Sequence, residues 1–387
     1  MNRQRVNIGI IGGGLMGREI ATALGRWHAL VDHPVSPRLT AVCDTNPAAL
    51  AWFDQIESVT TKVADYRDLL ADDKIDVVYI AVRHDLHEQM YIDAIRAGKD
   101  LLGEKPFGID LDAASAIAAA TAEAPDVFVR CSSEMPFYPG AQAAIDHIRS
   151  DTLGDLIEAS CGFSHSSDLD LSKPINWKRQ RQYCGEAGVM NDLGMHVLHV
   201  PLRLGWHPTS VFAILQDLVP RRHDASGRLV DCDTFENATL VCQAPRPNAT
   251  GGFPLTLTTK RIDPGQKNTW SLHVTGMQGG VSFSTREPRT LRVMESRRGE
   301  QVWQEVQMGS QSVWPTVTGG IFETGFSDAI LQMWAVYLAE RAGALGDRFG
   351  CVTMQEAVSS HAIFAAALES HRGQRAVTPS TAPALHV

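Results

Sequence analysis

The first third of the chain alternates short apolar runs with longer stretches of helical periodicity. The apolar, β-branched runs that predict strands cover 6–11, 37–44, 75–82, 99–106 and 126–132. The stretches with helical spacing between them cover 15–27, 47–56, 87–97 and 111–124. Strands that alternate with helices are typical of a parallel sheet with right-handed crossovers. The pattern therefore predicts an N-terminal Rossmann domain over residues 1–133.

The pattern changes after about residue 133. Helical spacing appears at 139–149 and 189–204, with a strand at 155–166 and a polar loop at 167–188. Between 210 and 306, strand-like segments follow one another with turn residues between them, and helical spacing returns at 326–343 and 355–371. Strands without intervening helices predict a large, open, mostly antiparallel sheet. We expect a second α/β domain over 134–387, with the C-terminal helix packing back on the first domain.

Composition narrows the function classes without choosing one. Of the side chains, 35 are basic and 44 acidic, which argues against a broad nucleic-acid-binding face. No window of about 18 apolar residues predicts a membrane span, and the apolar run at 6–11 is strand-sized and ends in glycines, unlike a signal peptide. The seven cysteines form no CxxC pair, which favours unpaired thiols in a reducing compartment, and we expect a cytoplasmic location.

A glycine-rich turn follows the first predicted strand and opens the first predicted helix. Residues 12–17 read GGGLMG and fit G-x-G-x-x-G, with Gly12, Gly14 and Gly17 as its glycines. Such glycines allow a tight turn, a close approach of pyrophosphate to the backbone, and close packing of helix on strand. Leu15 and Met16 lie at the helix N-terminus, where free N–H groups favour phosphate. The turn therefore predicts a dinucleotide site.

Asp44 ends the second predicted strand, where an acid accepts hydrogen bonds from the adenosine ribose hydroxyls. Its distance from Gly14 exceeds the usual spacing because residues 27–37 form an insertion. A carboxylate here repels a 2′-phosphate, and Thr45 and Asn46 follow instead of an arginine. We expect NAD in preference to NADP, with helix capping before Pro47 as the alternative role for Asp44.

Several motifs together resemble the Gfo/Idh/MocA family, which includes glucose–fructose oxidoreductase and inositol dehydrogenase. They are the glycine loop, AGKDLLGEKP at 97–106, SSEMPFYPGAQ at 132–142, DTLGDLIEAS at 151–160 and GEAGVMNDLGMHVLH at 185–199. The resemblance implies a Rossmann domain followed by an α/β domain whose open sheet mediates oligomerisation. We therefore expect a homodimer or homotetramer through the C-terminal sheet.

The resemblance also implies a catalytic group of Lys105, Asp192 and His196. Oxidation of a secondary alcohol needs a base near neutral pKa, for which histidine is suited. A lysine can hold the charge of the developing alkoxide, and an aspartate can orient substrate or base. We assign His196 as acid/base, Lys105 as oxyanion stabiliser and Asp192 as substrate orienter. The alternatives are a core histidine, a solvated lysine and an acid at the helix start.

Two further residues are expected at the cofactor by the same resemblance. Glu104 precedes the lysine of the EKP motif, and His87 matches the most regular histidine of the family's loop after the fourth strand. Both are therefore predicted to bind the cofactor, together with Lys105.

His199 departs from the family pattern, which usually has an acid at this position. A histidine there either contacts substrate or packs in the core, and both readings stay open. Asp192, His196 and His199 are spaced i, i+4 and i+7, which places them along one helical face. However, no HExxH motif or cysteine partner accompanies them, and Lys105 would repel a cation. We therefore expect no metal.

A basic segment precedes the catalytic helix in this acidic protein. Residues 176–183 read NWKRQRQY, where Trp177 and Tyr183 can stack on a sugar and Lys178, Arg179 or Arg181 can bind an anion. Arg83 stands at the C-terminal end of a predicted parallel strand, where a guanidinium can grip an anionic group. We hypothesise a substrate bearing phosphate, sulfonate or carboxylate. Solvated surface cations are the alternative for the same residues.

The predicted function is NAD-dependent oxidation or reduction of a secondary hydroxyl of a sugar, inositol or related polyol. One alternative is a redox-neutral glycoside hydrolase that oxidises, eliminates, hydrates and reduces with bound NAD, using His199 or Tyr183 as the extra base. A weaker alternative is a non-catalytic NAD-binding regulator, in which loss of Lys105 or His196 would be expected. We expect neither nucleic-acid nor membrane partners.

Overall fold

The N-terminal part of the protein contains a parallel six-stranded sheet. The structure is a computed structural model that describes residues 3–246, 251–297, 299–309 and 313–380. The strands are β1 (Gln4–Ile11), β2 (Val35–Cys43), β3 (Thr61–Val63), β4 (Val77–Ile80), β5 (Asp100–Gly103) and β6 (Val129–Cys131). The helices are α1 (Leu15–Gly25), α2 (Pro47–Ala51), α3 (Tyr66–Leu70), α4 (His87–Arg96) and α5 (Leu111–Glu123). The strand order β3-β2-β1-β4-β5-β6 confirms the predicted Rossmann fold.

One strand and one helix of this N-terminal part were not predicted. Strand β3 has three half-buried or exposed residues, so it lacks the apolar run that predicts a strand. Helix α3 is five residues long, too short for a helical period to show in the sequence. The predicted helix at 47–56 is instead α2 followed by a 3₁₀ turn at Trp52–Gln55. The overlooked pieces all lie at the edge next to β2.

The C-terminal part contains an eight-stranded sheet of order β16-β15-β14-β13-β7-β12-β11-β8. Its strands are β7 (Leu156–Ser164), β8 (Ser210–Gln216), β11 (Asn237–Pro245), β12 (Gly252–Lys260), β13 (Thr269–Gly276), β14 (Gly279–Ser284), β15 (Thr290–Arg297) and β16 (Glu300–Gln307). Strands β9 (Arg221–His223) and β10 (Leu229–Asp231) form a separate hairpin. β7 and β12 pair in parallel, and the remaining pairs are antiparallel, as the sequence predicted.

Five helices accompany this sheet among the described residues. They are α6 (Pro139–Arg149), α7 (Arg181–Cys184), α8 (Val189–Arg203), α9 (Phe326–Arg341) and α10 (Met354–Gly373). Helix α9 packs on α1, and α10 contacts α5, α8 and β8. Helix α10 therefore joins the two parts of the protein, although the boundary at 133/134 itself stays a prediction.

Helix α8 is buried on all sides and positions the predicted catalytic residues. It lies against β7 and β12 on one side and α10 on another. A Cβ atom on Gly194 would lie 2.4 Å from the Phe364 ring, so this contact between α8 and α10 requires glycine. The close packing fixes the depth at which Asp192 and His196 lie beneath the surface.

The structure also describes the cysteines and the helix lengths. All seven cysteines are buried and unpaired. Across the part of the chain that the structure describes, no helix is long and apolar enough to cross a bilayer. The predicted cytoplasmic location stays a prediction.

Candidate active site

The glycine loop follows β1 at the carboxyl edge of the parallel sheet, next to the residues that follow β4. Gly12 has φ of 104°, and a Cβ atom there would lie 2.2 Å from the Ala81 carbonyl oxygen. A Cβ atom on Gly17 would lie 2.1 Å from the Gly12 oxygen. These two positions therefore require glycine, the first because of its left-handed backbone and both because of close contact. A Cβ atom on Gly14, by contrast, would project into open space at the N-terminus of α1.

The open space above Gly14 fits a pyrophosphate group. It adjoins the free N–H groups of the first turn of α1, which carry the positive end of the helix dipole. Leu15 is 77% exposed beside it, and Met16 is half-buried. The strand, turn and helix around this loop are those of a dinucleotide site.

Asp44 borders the glycine loop from the end of β2. Its Oδ2 accepts a hydrogen bond of 2.8 Å from the Gly13 N–H, and its Oδ1 accepts one of 2.8 Å from the Asn46 N–H. The helix-capping side chain before Pro47 is Asn46, whose oxygen accepts from the Ala48 N–H. The carboxylate thus lies at the loop, with lone pairs left for hydroxyl donors.

His87 and Glu104 have buried side chains that hold loops in place. The His87 ring lies 2.7 Å from the Pro106 oxygen through Nδ1 and 3.1 Å from the Val82 oxygen through Nε2. Glu104 Oε1 accepts hydrogen bonds from Tyr79 at 2.6 Å and Ser132 at 2.7 Å. These hydrogen bonds position the chain after β4 and β5, and the predicted cofactor contacts of His87 and Glu104 stay predictions.

The Asp192 carboxylate contacts three cationic side chains. Lys105 Nζ lies 3.2 Å and Lys178 Nζ 2.6 Å from its Oδ1, and Arg261 Nη1 lies 2.7 Å from its Oδ2. Lys105 also donates to the Asp192 carbonyl oxygen at 2.6 Å. Burial opposes ionisation, but the three cations hold the pKa of this carboxyl well below its ordinary value. Asp192 is thus a buried counterion, which leaves little of it to orient substrate as predicted.

The His196 imidazole is buried one turn further along α8. Its Nδ1 lies 3.3 Å from Ser133 Oγ and 3.8 Å from Glu134 Oε2, and the edge of its ring meets Phe163. Burial, followed by repulsion from Lys105, lowers the pKa of His196 well below its usual value. The ring is therefore neutral and has a lone pair for a proton, although its pKa lies below the near-neutral value expected of the base.

His199 belongs to the core. Its ring lies between Phe137 and Phe349, with centroid distances of 6.4 and 4.8 Å. Neither ring nitrogen makes a hydrogen bond of normal geometry, and burial lowers its pKa to about 3. An i to i+7 step rises about 10 Å along a helix, so His199 lies at a different depth from Asp192. Of the two roles considered for His199, this position supports packing in the core.

Some side chains of the basic segment at 176–183 reach the Asp192 cluster, and others are held by the surrounding structure. Lys178 reaches Asp192, and Trp177 packs edge-on against His84 with ring centroids 4.7 Å apart. Arg179 is fully buried, pairs with Glu236 and donates to the Thr234 oxygen at 2.8 Å. The predicted anion-binding role of Arg179 is therefore wrong, because its guanidinium is enclosed by protein acceptors.

Arg181, Arg83 and Tyr183 lie outside the Asp192 cluster. Arg181 is exposed and pairs with Glu186 at 3.0 Å. Arg83 makes two 3.0 Å contacts with the Asp85 carboxylate and stacks over the Tyr183 ring at 4.2 Å. The Arg83–Tyr183 contact connects the loop after β4 to α7, and the predicted contact of all three side chains with substrate has no support in this geometry.

Four site residues were missed in the sequence. Arg261 follows β12, while His84, His165 and Asp168 lie in loops at strand ends. Arg261 Nε pairs with Asp168 at 2.8 Å, which ties the loop after β7 to the Asp192 cluster. Arg261 and Asp168 come together because β7 pairs in parallel with β12. The local sequence pattern of either strand does not predict that pairing.

A cleft of about 530 Å³ opens beside this cluster. Its walls include His165, Asp168, Trp177, Lys178, Asp192 and Arg261. Burial, with repulsion from Arg261, lowers the pKa of His165 to about 4, so that this wall residue is neutral. In the described ranges, no group of three His, Cys, Asp or Glu side chains is placed to hold a metal ion.

Comparisons with known proteins identify the family. The GFO_IDH_MocA model, described as an oxidoreductase family with an NAD-binding Rossmann fold, matches residues 6–130. The GFO/IDH/MocA C-terminal domain model matches residues 141–282. The chain belongs to the Gfo/Idh/MocA family of oxidoreductases, which confirms the resemblance drawn from its motifs.

Three similar proteins illustrate the likeness. Levoglucosan dehydrogenase of Pseudarthrobacter phenanthrenivorans is 26% identical over 58% of this chain and 57% of its own length. D-xylose 1-dehydrogenase (NADP(+)) of Hypocrea jecorina is 24% identical over 60% of this chain and 59% of its own. A solved levoglucosan dehydrogenase complex with NADH and levoglucosan has a TM-score of 0.87 at 21% identity, covering 98% of this chain and 100% of that one. The chain thus spans under two thirds of both curated relatives, and the structural likeness shows the fold.

The reassignment of Arg179 predicts that its removal affects stability. Arg179→Met would leave the buried Glu236 carboxylate unpaired, so we expect a loss of about 3–5 kcal/mol in the free energy of unfolding. Urea denaturation followed by circular dichroism measures this loss. Arg181→Ala, two residues away and exposed, is the matched control and should change stability by less than about 0.5 kcal/mol. Equal stability of the two variants would contradict the assignment.

Proposed function

We propose that the chain is an NAD-dependent dehydrogenase that oxidises a secondary hydroxyl of a sugar or polyol. The observation that carries the proposal is the contact of Lys105 with Asp192, a residue of the cleft wall, together with His196, which lies one turn further along α8 and interacts electrostatically with both. Two similar proteins are named as dehydrogenases of levoglucosan and D-xylose, which supports a carbohydrate substrate.

The residues around the glycine loop suit NAD. The opening at Gly14 would receive the pyrophosphate, and the Asp44 carboxylate would accept hydrogen bonds from ribose hydroxyls. The same carboxylate would repel a 2′-phosphate, which supports NAD over NADP. When bound, the nicotinamide supplies the acceptor for the hydride.

The protein's own part in the reaction is to hold the substrate oxygen and remove its proton. Burial lowers the pKa of Lys105, but Asp192, with Glu104 and Glu134, more than reverses this effect. Lys105 therefore remains an ammonium group that can donate to the developing alkoxide. Neutral His196 accepts the hydroxyl proton. Asp192 keeps the lysine charged and in position.

The charge around the cleft supports an anionic substrate. Lys173, Lys178, Arg222 and Arg261 line it, against the two carboxylates of Asp168 and Asp192. This excess of positive charge occurs in a chain whose net charge is −9. Lys178 is the cation best placed for substrate, since its side chain is 32% exposed whereas Arg261 is 4% exposed. We propose a sugar that carries a carboxylate, phosphate or sulfonate group.

Net oxidation is preferred over redox-neutral glycoside cleavage. The two residues considered as the extra base for cleavage are His199, which packs between phenylalanines, and Tyr183, which stacks under Arg83. Neither belongs to the cluster around Asp192. No feature of the site therefore favours the hydrolytic route.

The proposed reaction is tested by incubating neutral and anionic sugars with NAD or NADP. We expect NADH to accumulate in proportion to oxidised product, with higher kcat/KM for NAD than for NADP. Lys105→Met should lower kcat by about 10²–10³-fold, because one donor to the alkoxide is lost. NADH absorbance and product chromatography are both needed. Cleaved glycoside without NADH would contradict net oxidation and support the hydrolytic route.

Substitution of Lys178 tests the anionic substrate. Lys178→Met should raise KM for an anionic sugar relative to its neutral analogue by about 10–100-fold, the value of one charge-assisted hydrogen bond. Comparison of the two substrates cancels any common effect on Asp192 and Lys105. Arg181→Ala, which lies on the same segment but faces Glu186, should leave the ratio of the two KM values unchanged. An unchanged ratio of the two KM values in Lys178→Met would contradict the proposal of an anionic substrate.

The outer face of the large sheet supports the expected oligomer. The helices α6, α8 and α10 contact one face, and Ile214, Val241 and Trp303 are about half exposed on the other. Exposed apolar side chains of this kind mark subunit contacts. We propose that two copies pair through this face. Sedimentation velocity should show a dimer or tetramer that Ile214→Lys with Val241→Lys dissociates, and a monomeric wild type would contradict the proposal.

A further inference from the structure

A buried carboxyl group beside His196 has so far only the role of helping to keep Lys105 charged. Glu134 lies in the turn after β6 and is 5% exposed. Its Oε2 is 3.8 Å from His196 Nδ1, and the neighbouring Ser133 Oγ is 3.3 Å from the same nitrogen. One side of the imidazole thus faces two oxygen atoms from a single turn of chain.

The groups around Glu134 are already engaged with other partners. Glu104 accepts from Tyr79 and Ser132, and Lys105 donates to Asp192. Among the described residues, His196 is the basic side chain within 4 Å of the Glu134 carboxylate, and Tyr138 and Lys105 interact with it electrostatically. The carboxyl group is therefore placed to act on the imidazole.

We propose that Glu134 is a positioning residue that holds the hydrogen of neutral His196 on Nδ1, so that Nε2 is the atom that accepts the substrate proton. An ionised carboxylate only accepts hydrogen bonds, whereas the Ser133 hydroxyl can accept or donate. A neutral imidazole carries a single N–H, so the tautomer with Nδ1–H donates to Ser133 Oγ and turns its positive N–H end, rather than a lone pair, toward the Glu134 carboxylate. Nε2 is then left with its lone pair. The inference rests on the proposed role of His196 as base.

The action of Glu134 is expected to depend on pH near neutrality. Burial, with repulsion from Glu104, raises the pKa of Glu134 to about 7, although Lys105 opposes the shift. Tyr138 also faces the carboxyl group, and His196 itself faces Lys105, Asp192, Lys178 and His199. Above pH 7 the ionised carboxylate holds the Nδ1–H tautomer. Below pH 7 the protonated acid is no longer an obligate acceptor, so kcat should fall.

The tautomer is measurable without a substrate. Nitrogen-15 NMR of histidine-labelled protein at pH 8 reports which ring nitrogen carries hydrogen, with the His196 signals assigned from a His196→Asn variant. The wild type should show Nδ1–H at His196, and Glu134→Leu should shift the ring toward Nε2–H. His199 serves as an internal reference and should not change. An Nε2–H tautomer in the wild type, or an unchanged His196 tautomer in Glu134→Leu, would overturn the proposal.

Kinetics and stability separate this role from a merely structural one. Glu134→Leu should lower kcat by about 10–100-fold with an unchanged dissociation constant for NAD, and Glu134→Gln should abolish the rise of kcat through pH 7. A raised carboxyl pKa means that folding loses stability as pH rises from about 4.5 to 7. The melting temperature of Glu134→Leu relative to wild type should therefore increase from pH 5 to pH 8. A relative decrease would indicate a structural ion pair.

The NMR result stands even if the protein oxidises none of the sugars tested. Failure of the sugar panel would then count against the proposed reaction alone, while a wrong tautomer would count against Glu134 alone.

Discussion

The buried Asp192 carboxylate is the interaction on which the arrangement of the site depends. It draws together Lys105 from the end of β5, Lys178 from the loop before α7, and Arg261 from the end of β12. These residues come from both sheets and from the loop that covers the cleft. Removing an ion from water costs several kcal/mol, so one buried carboxylate with three cations persists only because its hydrogen bonds are complete. The same grouping leaves positive charge in excess at the cleft wall.

The same groups set the protonation states of Lys105 and His196. Lys105 stays charged because Asp192 is its partner, while His196 stays neutral because it is buried near that ammonium group. A protonated lysine and a neutral histidine side by side are what alcohol oxidation requires at neutral pH. Burial and repulsion by Lys105 and Arg261 lower the pKa of Lys178 despite its contact with Asp192, and an anionic substrate would raise this pKa again.

Features built from consecutive residues could be predicted from the sequence, whereas contacts between distant parts of the chain could not. The glycine loop was predictable because strand, turn and helix are consecutive, and Lys105, Asp192 and His196 were placed through motifs of a familiar family. Arg179 and Arg181 could not be told apart in a short loop, where neither helical nor strand periodicity says which side chain faces inward. Arg261 needed the β7–β12 pairing, which joins residues almost a hundred positions apart. The role of His199 stayed open in the sequence because spacing along a helix gives direction but not depth, and α8 is buried on every side.

The pKa of Lys105 in the wild type and in Asp192→Asn tests the central claim most directly. Titration of carbon-13-labelled lysine side chains by NMR gives this pKa without substrate or cofactor. Because Asp192 is the largest influence that raises the pKa of Lys105, we expect Lys105 to lose its proton at distinctly lower pH in Asp192→Asn. An identical pKa in both proteins would show that Asp192 does not hold the lysine, and would contradict the account of the site.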